Sequence, residues 1–315
     1  MSTKINSLNK YCLSLFVIGI ALLFSVCRPA TRVREQGQPI TVLATTGIVA
    51  DMVKAIGGKN VTCETLMGPG VDPHLYKVSQ NDLLKIARAQ IIFYNGLHLE
   101  GKMTETLHKI ENKRTTVALG ESLPKELLHA TADFGGSYDP HIWFDVALWL
   151  KTAKVVEETL SINAPEFAEQ FKQNRLAYER QLMALHQEVL QSIGTIEKER
   201  RILITAHDAF GYFGKAYHME VRGLQGISTL TDYGLSDVNS LVNYIVSKKI
   251  KAIFVESSVS GRAINAVLVG CKSKGWPVKI GGTLYSDALG AADKPEGTYI
   301  GMVKYNTQVI VSALK

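Results

Sequence analysis

The stretch ITVLATTGIVADMVKAIGGKNVTCETL, residues 40–66, reads as one strand-helix-strand unit. Ile40–Ala44 and Val61–Leu66 are short runs rich in β-branched and apolar residues, and a helix starts at Thr46 and stops at the Gly57-Gly58 pair. The pattern continues outward. Ile91–Tyr94 and Thr116–Ala118 are further strands, and a helix capped by Ser79 carries apolar Leu83, Leu84 and Ile86. Four strands with helical crossovers make one lobe. The second half repeats the scheme, with strands Ile202–Thr205, Val221–Leu224, Ile253–Glu256 and Val278–Ile280. Its helices run from Ser236, from Ser260 to about Lys274, and from about Thr298 onward.

Between the halves, Pro165 to Ile196 reads as one long polar helix, with Phe167, Phe171, Leu182, Leu185, Val189 and Ile193 at three- and four-residue steps. At 1.5 Å per residue it would span ~45 Å, too long for one small lobe, so it is read as a rigid connector. The expected fold is therefore α/β. It has two lobes, each a four-stranded parallel sheet flanked by helices, joined by one long helix. The expected division is a signal peptide at 1–26, a tether at 27–39, an N-terminal lobe at 40–164, the connecting helix at 165–196 and a C-terminal lobe at 197–315.

The net charge of +6 misleads. Residues 1–34 hold Lys4, Lys10, Arg28, Arg32 and Arg34 and no acid, so removing those five charges leaves +1 for the rest. Basicity confined to a leader is a targeting feature and gives no support to a nucleic-acid surface. Lys4 and Lys10 precede an apolar run from Tyr11 to Phe24, which is short for a membrane span and fits a signal-peptide core. Cys27 follows Leu23-Phe24-Ser25-Val26, a loose bacterial lipoprotein box with Val26 where Gly, Ala or Ser is usual. The leader is thus read either as ending in a lipid anchor at Cys27 or as cleaved in the ordinary way. Cys63 and Cys271 are far apart in the body, and no disulfide framework or cysteine metal motif is visible.

The tripeptide Asp-Pro-His occurs twice, as Asp72-Pro73-His74 and Asp139-Pro140-His141. Proline fixes φ and pushes the preceding residue into an extended conformation, so each imidazole is offered on a stiff turn. His207, in Thr205-Ala206-His207-Asp208, and Asp287, in Tyr285-Ser286-Asp287, share a loop-borne setting. Three imidazoles and a carboxylate make a metal cage. In open parallel sheets ligands collect beyond the carboxyl ends of strands, so two donors per lobe would meet in the cleft between them. Asp72, Asp139, Asp208 and Glu256 lie where they could orient ring nitrogens, or serve merely as turn and cap residues. His98, His108, His129, His186 and His218 are not nominated.

Five segments carry a resemblance: Leu66–His74, Tyr94–Glu100, Asp139–Asp145, Thr205–Phe213 and Gly281–Asp287. In matching order from Ile40 to the last residues, they look like the solute-binding proteins of metal-ion ABC transporters. That is the cluster of zinc and manganese receptors, with TroA-like receptors the nearest likeness. The resemblance implies two α/β lobes joined by a long helix, with one metal between them and ligands at His74, His141, His207 and Asp287. It also implies a membrane permease with its ATPase as partners, and a monomer outside the cytoplasmic membrane. Family members with glutamate at the third ligand position lean to manganese, whereas histidine, as at His207, leans to zinc. Many zinc receptors carry a His- and acid-rich loop before the second Asp-Pro-His turn, but Leu123 to Tyr138 has only His129. Chemistry independently favours Zn²⁺ over Mn²⁺, which prefers more oxygen donors.

Two other functional classes fit the sequence less well. In a secreted zinc-dependent hydrolase, Asp287 would be a general base rather than a ligand, but no His-Glu-x-x-His pattern or nucleophile elbow appears. For a surface adhesin, nothing beyond the lipid anchor speaks. A helical connector predicts modest lobe movement and release through local ligand rearrangement.

Overall fold

Strand β1 (Ile40–Thr46) is almost wholly buried because a sheet covered by helices on both faces offers no solvent side. The computed structural model describes residues 35–111, 114–131 and 136–315; the expected signal peptide, Cys27 and most of the tether lie outside them. Helix α1 (Gly47–Gly57) follows directly, with the Thr46 hydroxyl accepting from the Val49 N–H at 3.3 Å. Strand β2 (Val61–Met67), helix α2 (Gln80–Arg88), strand β3 (Ile91–Tyr94), helix α3 (Thr104–Glu111) and strand β4 (Thr115–Ala118) complete the first sheet. All its pairings are parallel, in the order β2-β1-β3-β4, with Ile40 opposite Val61, Val42 opposite Ile91 and Ile91 opposite Thr115.

The start of α2 is fixed by a capping box, in which Ser79 and Asp82 satisfy each other's backbone N–H groups. The three apolar residues noted on this helix do not share one face. Ile86 is buried with Asp82, one turn apart, whereas Leu83 and Leu84 are 51% and 55% exposed. The capping box commits Asp82 to the inner face, and 3.6-residue geometry then turns positions 83 and 84 outward.

After β4 comes helix α4 (Val146–Asn163), for which the sequence reading assigned no element. Asp145 caps it, accepting from the Ala147 and Leu148 N–H groups at 3.0 and 3.2 Å. The long connector is present, but Pro165–Phe167 form a separate 3₁₀ turn and the α-helix proper, α5, runs Ala168–Gly194. Its 27 residues extend about 40 Å. Phe171, Tyr178, Leu182, Leu185, Val189 and Ile193 make its buried stripe, each worth roughly 1.5–3 kcal/mol when removed from water. That stripe packs against α1 and α4 of the first half and against α6 (Gly211–Tyr217) and α9 (Tyr299–Leu314) of the second. One apolar core consequently runs through both halves.

In the second half, β5 (Ile202–His207) pairs in parallel with β6 (Glu220–Gln225). After helix α7 (Leu235–Ser247), β7 (Ala252–Glu256) pairs in parallel with β8 (Lys279–Leu284), across helix α8 (Arg262–Ser273). β5 and β7 lie side by side, so the four expected strands are present as two parallel pairs. Strand β8 runs four residues beyond the expected Ile280, through Gly281 and Gly282. Glycine weakens a strand signal, but here it admits a helix at close range. A Cβ on Gly282, whose φ is +154°, would fall 2.5 Å from Val309 Cγ1, and one on Gly281 would fall 2.8 Å from Ala313 Cβ. Cys63 and Cys271 are free thiols. Among the described residues no helix is long and apolar enough to cross a membrane.

The buried face of α2 has a measurable consequence. Ile86→Ala should cost about 2–5 kcal/mol in urea unfolding, whereas Leu84→Lys should change stability by less than about 0.5 kcal/mol. Equal losses from the two variants would contradict the assigned face.

Candidate metal centre

Each of the four nominated residues ends up in the same place by a different local route. His74 sits on a turn between β2 and α2, where Asp72 Oδ1 accepts its backbone N–H at 2.9 Å. His141 sits on the second Asp-Pro-His turn, and there Asp139 Oδ1 does two things. It accepts the His141 backbone N–H at 3.0 Å and lies 2.7 Å from the ring Nδ1. The turn is itself pinned by Asn95, whose side-chain N–H donates to the Pro140 carbonyl at 2.9 Å. The loop holding Asn95 wraps the buried Glu100 carboxylate, which accepts from the Asn95 and Gly96 N–H groups and from the Thr45 hydroxyl.

His207 is not loop-borne as expected. It is the last residue of β5, in register with Gln225. Its backbone N–H donates to Glu256 Oε1 at 2.9 Å, and Glu256 Oε2 lies 2.6 Å from its Nδ1, poorly aligned for a hydrogen bond. Asp287 follows β8. The neighbouring Ser286 is held by the Ser258 hydroxyl at 2.7 Å and by the Trp143 indole N–H, which donates to its carbonyl at 3.1 Å.

These turns and strand ends bring the four side chains together, all buried, with one donor atom from each within 4.8 Å of the others. His141 Nε2 and His207 Nε2 are 3.4 Å apart, and each lies 3.5 or 3.4 Å from an Asp287 oxygen. These contacts are long for hydrogen bonds, and Asp287 Oδ1 finds no partner. Both ring nitrogens of His74 are likewise buried without a partner. Donors placed tetrahedrally at ~2.1 Å from one ion stand ~3.4 Å from each other. Three of the donors, on His141, His207 and Asp287, thus have the spacing of a four-coordinate shell, with a His74 nitrogen within 4.8 Å of them, and the orphaned atoms of His74 and Asp287 are ones such a shell would use.

Electrostatics separates the three imidazoles. Burial, opposed by Asp287 but aided by the other two rings, drops the His74 pKa to about 3, so that ring is neutral and keeps its lone pair. Burial also works against charge on His141, but the Asp139 and Asp287 carboxylates outweigh it and raise the pKa to about 9. For His207, burial is likewise outweighed by Glu256 and Asp287, which hold it well above the ordinary value. Asp287 is fully buried, yet His207 and His141 hold it well below the usual carboxylate range.

Of the four acids expected beside the rings, Asp139 and Glu256 lie against imidazole Nδ1 atoms. Asp72 meets only the His74 backbone, and its second oxygen accepts the Thr229 hydroxyl at 2.7 Å. No hydrogen bond or ion pair joins Asp208 to a ring among the described residues; its backbone N–H donates to Gln225. The remaining histidines lie elsewhere. His108 pairs with exposed Glu111, His129 stacks on Tyr212 at 3.9 Å, and His186 meets the Tyr217 hydroxyl. Sequence reasoning missed Thr229 and Ser258, which no motif or spacing marks, and gave Ser286 no role although it lies in the Tyr285-Ser286-Asp287 stretch.

Comparison with known proteins agrees with this geometry. Residues 42–313 match the family described as zinc-uptake complex component A, periplasmic (ZnuA). The chain belongs to that family. It is 47% identical over 282 residues to the manganese-binding lipoprotein MntA of Bacillus subtilis, covering 90% of this chain and 92% of MntA. It is 41% identical over 308 residues to the zinc-binding protein TroA of Treponema pallidum, covering 97% and 98% of the two chains. The solved structure of that TroA superposes with a TM-score of 0.86 at 43% identity, covering 88% of this chain and 99% of the other. Members of the family are substrate-binding proteins of metal ABC transporters that reside on the outer side of the membrane and work with a permease and its ATPase. They are receptors rather than enzymes, and the hydrolase alternative finds no support among them.

The raised pKa values set the sign of a proton linkage. Below about pH 9 the His141 ring holds a proton that a cation must displace, so loading should release protons and weaken as pH falls. Calorimetry of Zn²⁺ binding at pH 7 in buffers of different ionisation enthalpy should show net proton release. A buffer-independent enthalpy would contradict the charge assignment.

Proposed function

We propose that this chain is the extracytoplasmic receptor of an ABC transporter. It captures one divalent transition metal between its halves and delivers it to a membrane permease driven by an ATPase. His74, His141, His207 and Asp287 are the ligands. The observation that carries this reading is the 3.4–3.5 Å spacing of buried donor atoms beside an imidazole with no other partner. Three imidazoles and one carboxylate favour Zn²⁺, a borderline-soft ion content with four ligands, over Mn²⁺, which prefers more oxygen. Two of the rings are backed by carboxylates that fix their orientation and raise their basicity.

The domain division belongs to the same reading: signal peptide 1–26, tether 27–39, N-terminal lobe 40–164, connecting helix 165–196 and C-terminal lobe 197–315. A lipid at Cys27 then holds a monomeric receptor at the membrane surface, within reach of the permease.

Metal analysis of protein purified without added ions, followed by competition between Zn²⁺ and Mn²⁺, tests the assignment. Asp287→Ala or His207→Ala should weaken Zn²⁺ binding beyond the ~10–100-fold typical of losing an outer partner. Unchanged affinity in both would overturn the ligand set. Cys27→Ala should move the protein from the membrane fraction to the soluble fraction of the host, and continued membrane retention would refute the anchor.

A further inference from the structure

The two Asp-Pro-His turns share their wording but not their wiring. In the second, Asp139 spends one oxygen on both the backbone and the ring of His141. In the first, Asp72 spends Oδ1 on the His74 backbone and leaves the ring alone. Its Oδ2 reaches across the cleft to the Thr229 hydroxyl at 2.7 Å. Thr229 belongs to the segment 226–234 between β6 and α7, and it is buried there with Ser228. The same segment sends Leu230 over Gly101, where a Cβ would meet Leu230 Cδ1 at 3.2 Å. On the far side of the turn, a Cβ on Gly70 would lie 3.5 Å from the Ser257 carbonyl. The turn bearing His74 is therefore clasped by two loops of the opposite half, and the Asp72–Thr229 hydrogen bond is a polar tie within that clasp.

We infer that Thr229 is a positioning residue that governs metal release: its hydrogen bond to Asp72 latches the His74 turn against the second half. This inference rests on the receptor reading above. His141 and His207 have carboxylates behind their rings and stay aimed without help. His74 has none, so its aim depends on where its turn is held. A buried hydroxyl-to-carboxylate bond is among the stronger neutral-to-charged contacts, and its loss leaves an acceptor unsatisfied. Breaking it should free the turn to lift away with its imidazole, which speeds departure of the ion without altering the other three ligands. Changes of this kind act mainly on dissociation rather than association.

The test compares Thr229→Val, which removes the hydroxyl at nearly constant volume, with Thr229→Ser, which keeps it. Zn²⁺ is loaded into the full-length protein, and its loss to excess chelator is followed by stopped flow. Thr229→Val should lose Zn²⁺ about tenfold faster than Thr229→Ser, equivalent to about 1.4 kcal/mol, with matched association rates and matched metal-free thermal midpoints. Should Thr229→Val not fold, Thr229→Ala serves on the same readout. A ratio below about threefold, or a faster loss accompanied by a fall in the metal-free midpoint, overturns the latch. Failure of the metal-site assignment on which this rests is distinguishable, because then the unsubstituted protein takes up no Zn²⁺, whereas failure of the latch leaves uptake intact and the two variants alike.

Discussion

The molecule depends on one buried carboxylate. Asp287 is at the end of a strand in the second half, fully removed from water, and its charge is tolerable only because His141 and His207 face it. An isolated carboxylate in such a place would protonate or draw in water. Here His141 comes from the first half and His207 from the second, so the compensation itself joins the two halves. Every other feature of the site follows from keeping those three groups in register: the Asp139 and Glu256 carboxylates behind the rings, the serines around Asp287, and the indole of Trp143 bonded to the Ser286 carbonyl.

The scaffold supplies the rigidity that such a charge cluster needs. The stripe along α5 buries side chains against helices of both halves, so the halves share a core instead of meeting only at a cleft. The Tyr299 hydroxyl adds a tie from α9 to the Trp143 carbonyl at 2.6 Å. A framework of this kind favours small local rearrangements near the site over wholesale rotation of one half.

Much of this was legible in the sequence, for identifiable reasons. Parallel strands covered on both faces must be continuously apolar, so β1, β3, β5 and β7 announced themselves. Proline and aspartate gave away the two rigid turns. What failed to show was anything decided by partners distant in sequence. Leu83, Leu84 and Ile86 read alike as apolar, because nothing local reveals that Asp82 is the residue turned inward by its capping box. The second half of β8 was hidden by Gly281 and Gly282, chosen for the approach of α9 rather than for strand propensity. His207 read as a loop residue, although the ladder with Gln225 extends to it. At the site, residue identities pointed to the four side chains that the fold brings together, but the contacts of Thr229 and Ser258 join residues that no spacing rule relates.

Trp143 has a use beyond holding the Ser286 loop. Its ring stands 5.3 Å from that of His141 in an edge-to-face arrangement, and its N–H is bonded to the residue preceding Asp287. Exchange of a proton for a divalent cation on that imidazole changes the electric field at the indole. Protonated imidazole also quenches indole emission. If the proposed ligand set holds, the protein carries an intrinsic fluorophore against its cargo, and occupancy would be readable optically from the unlabelled chain.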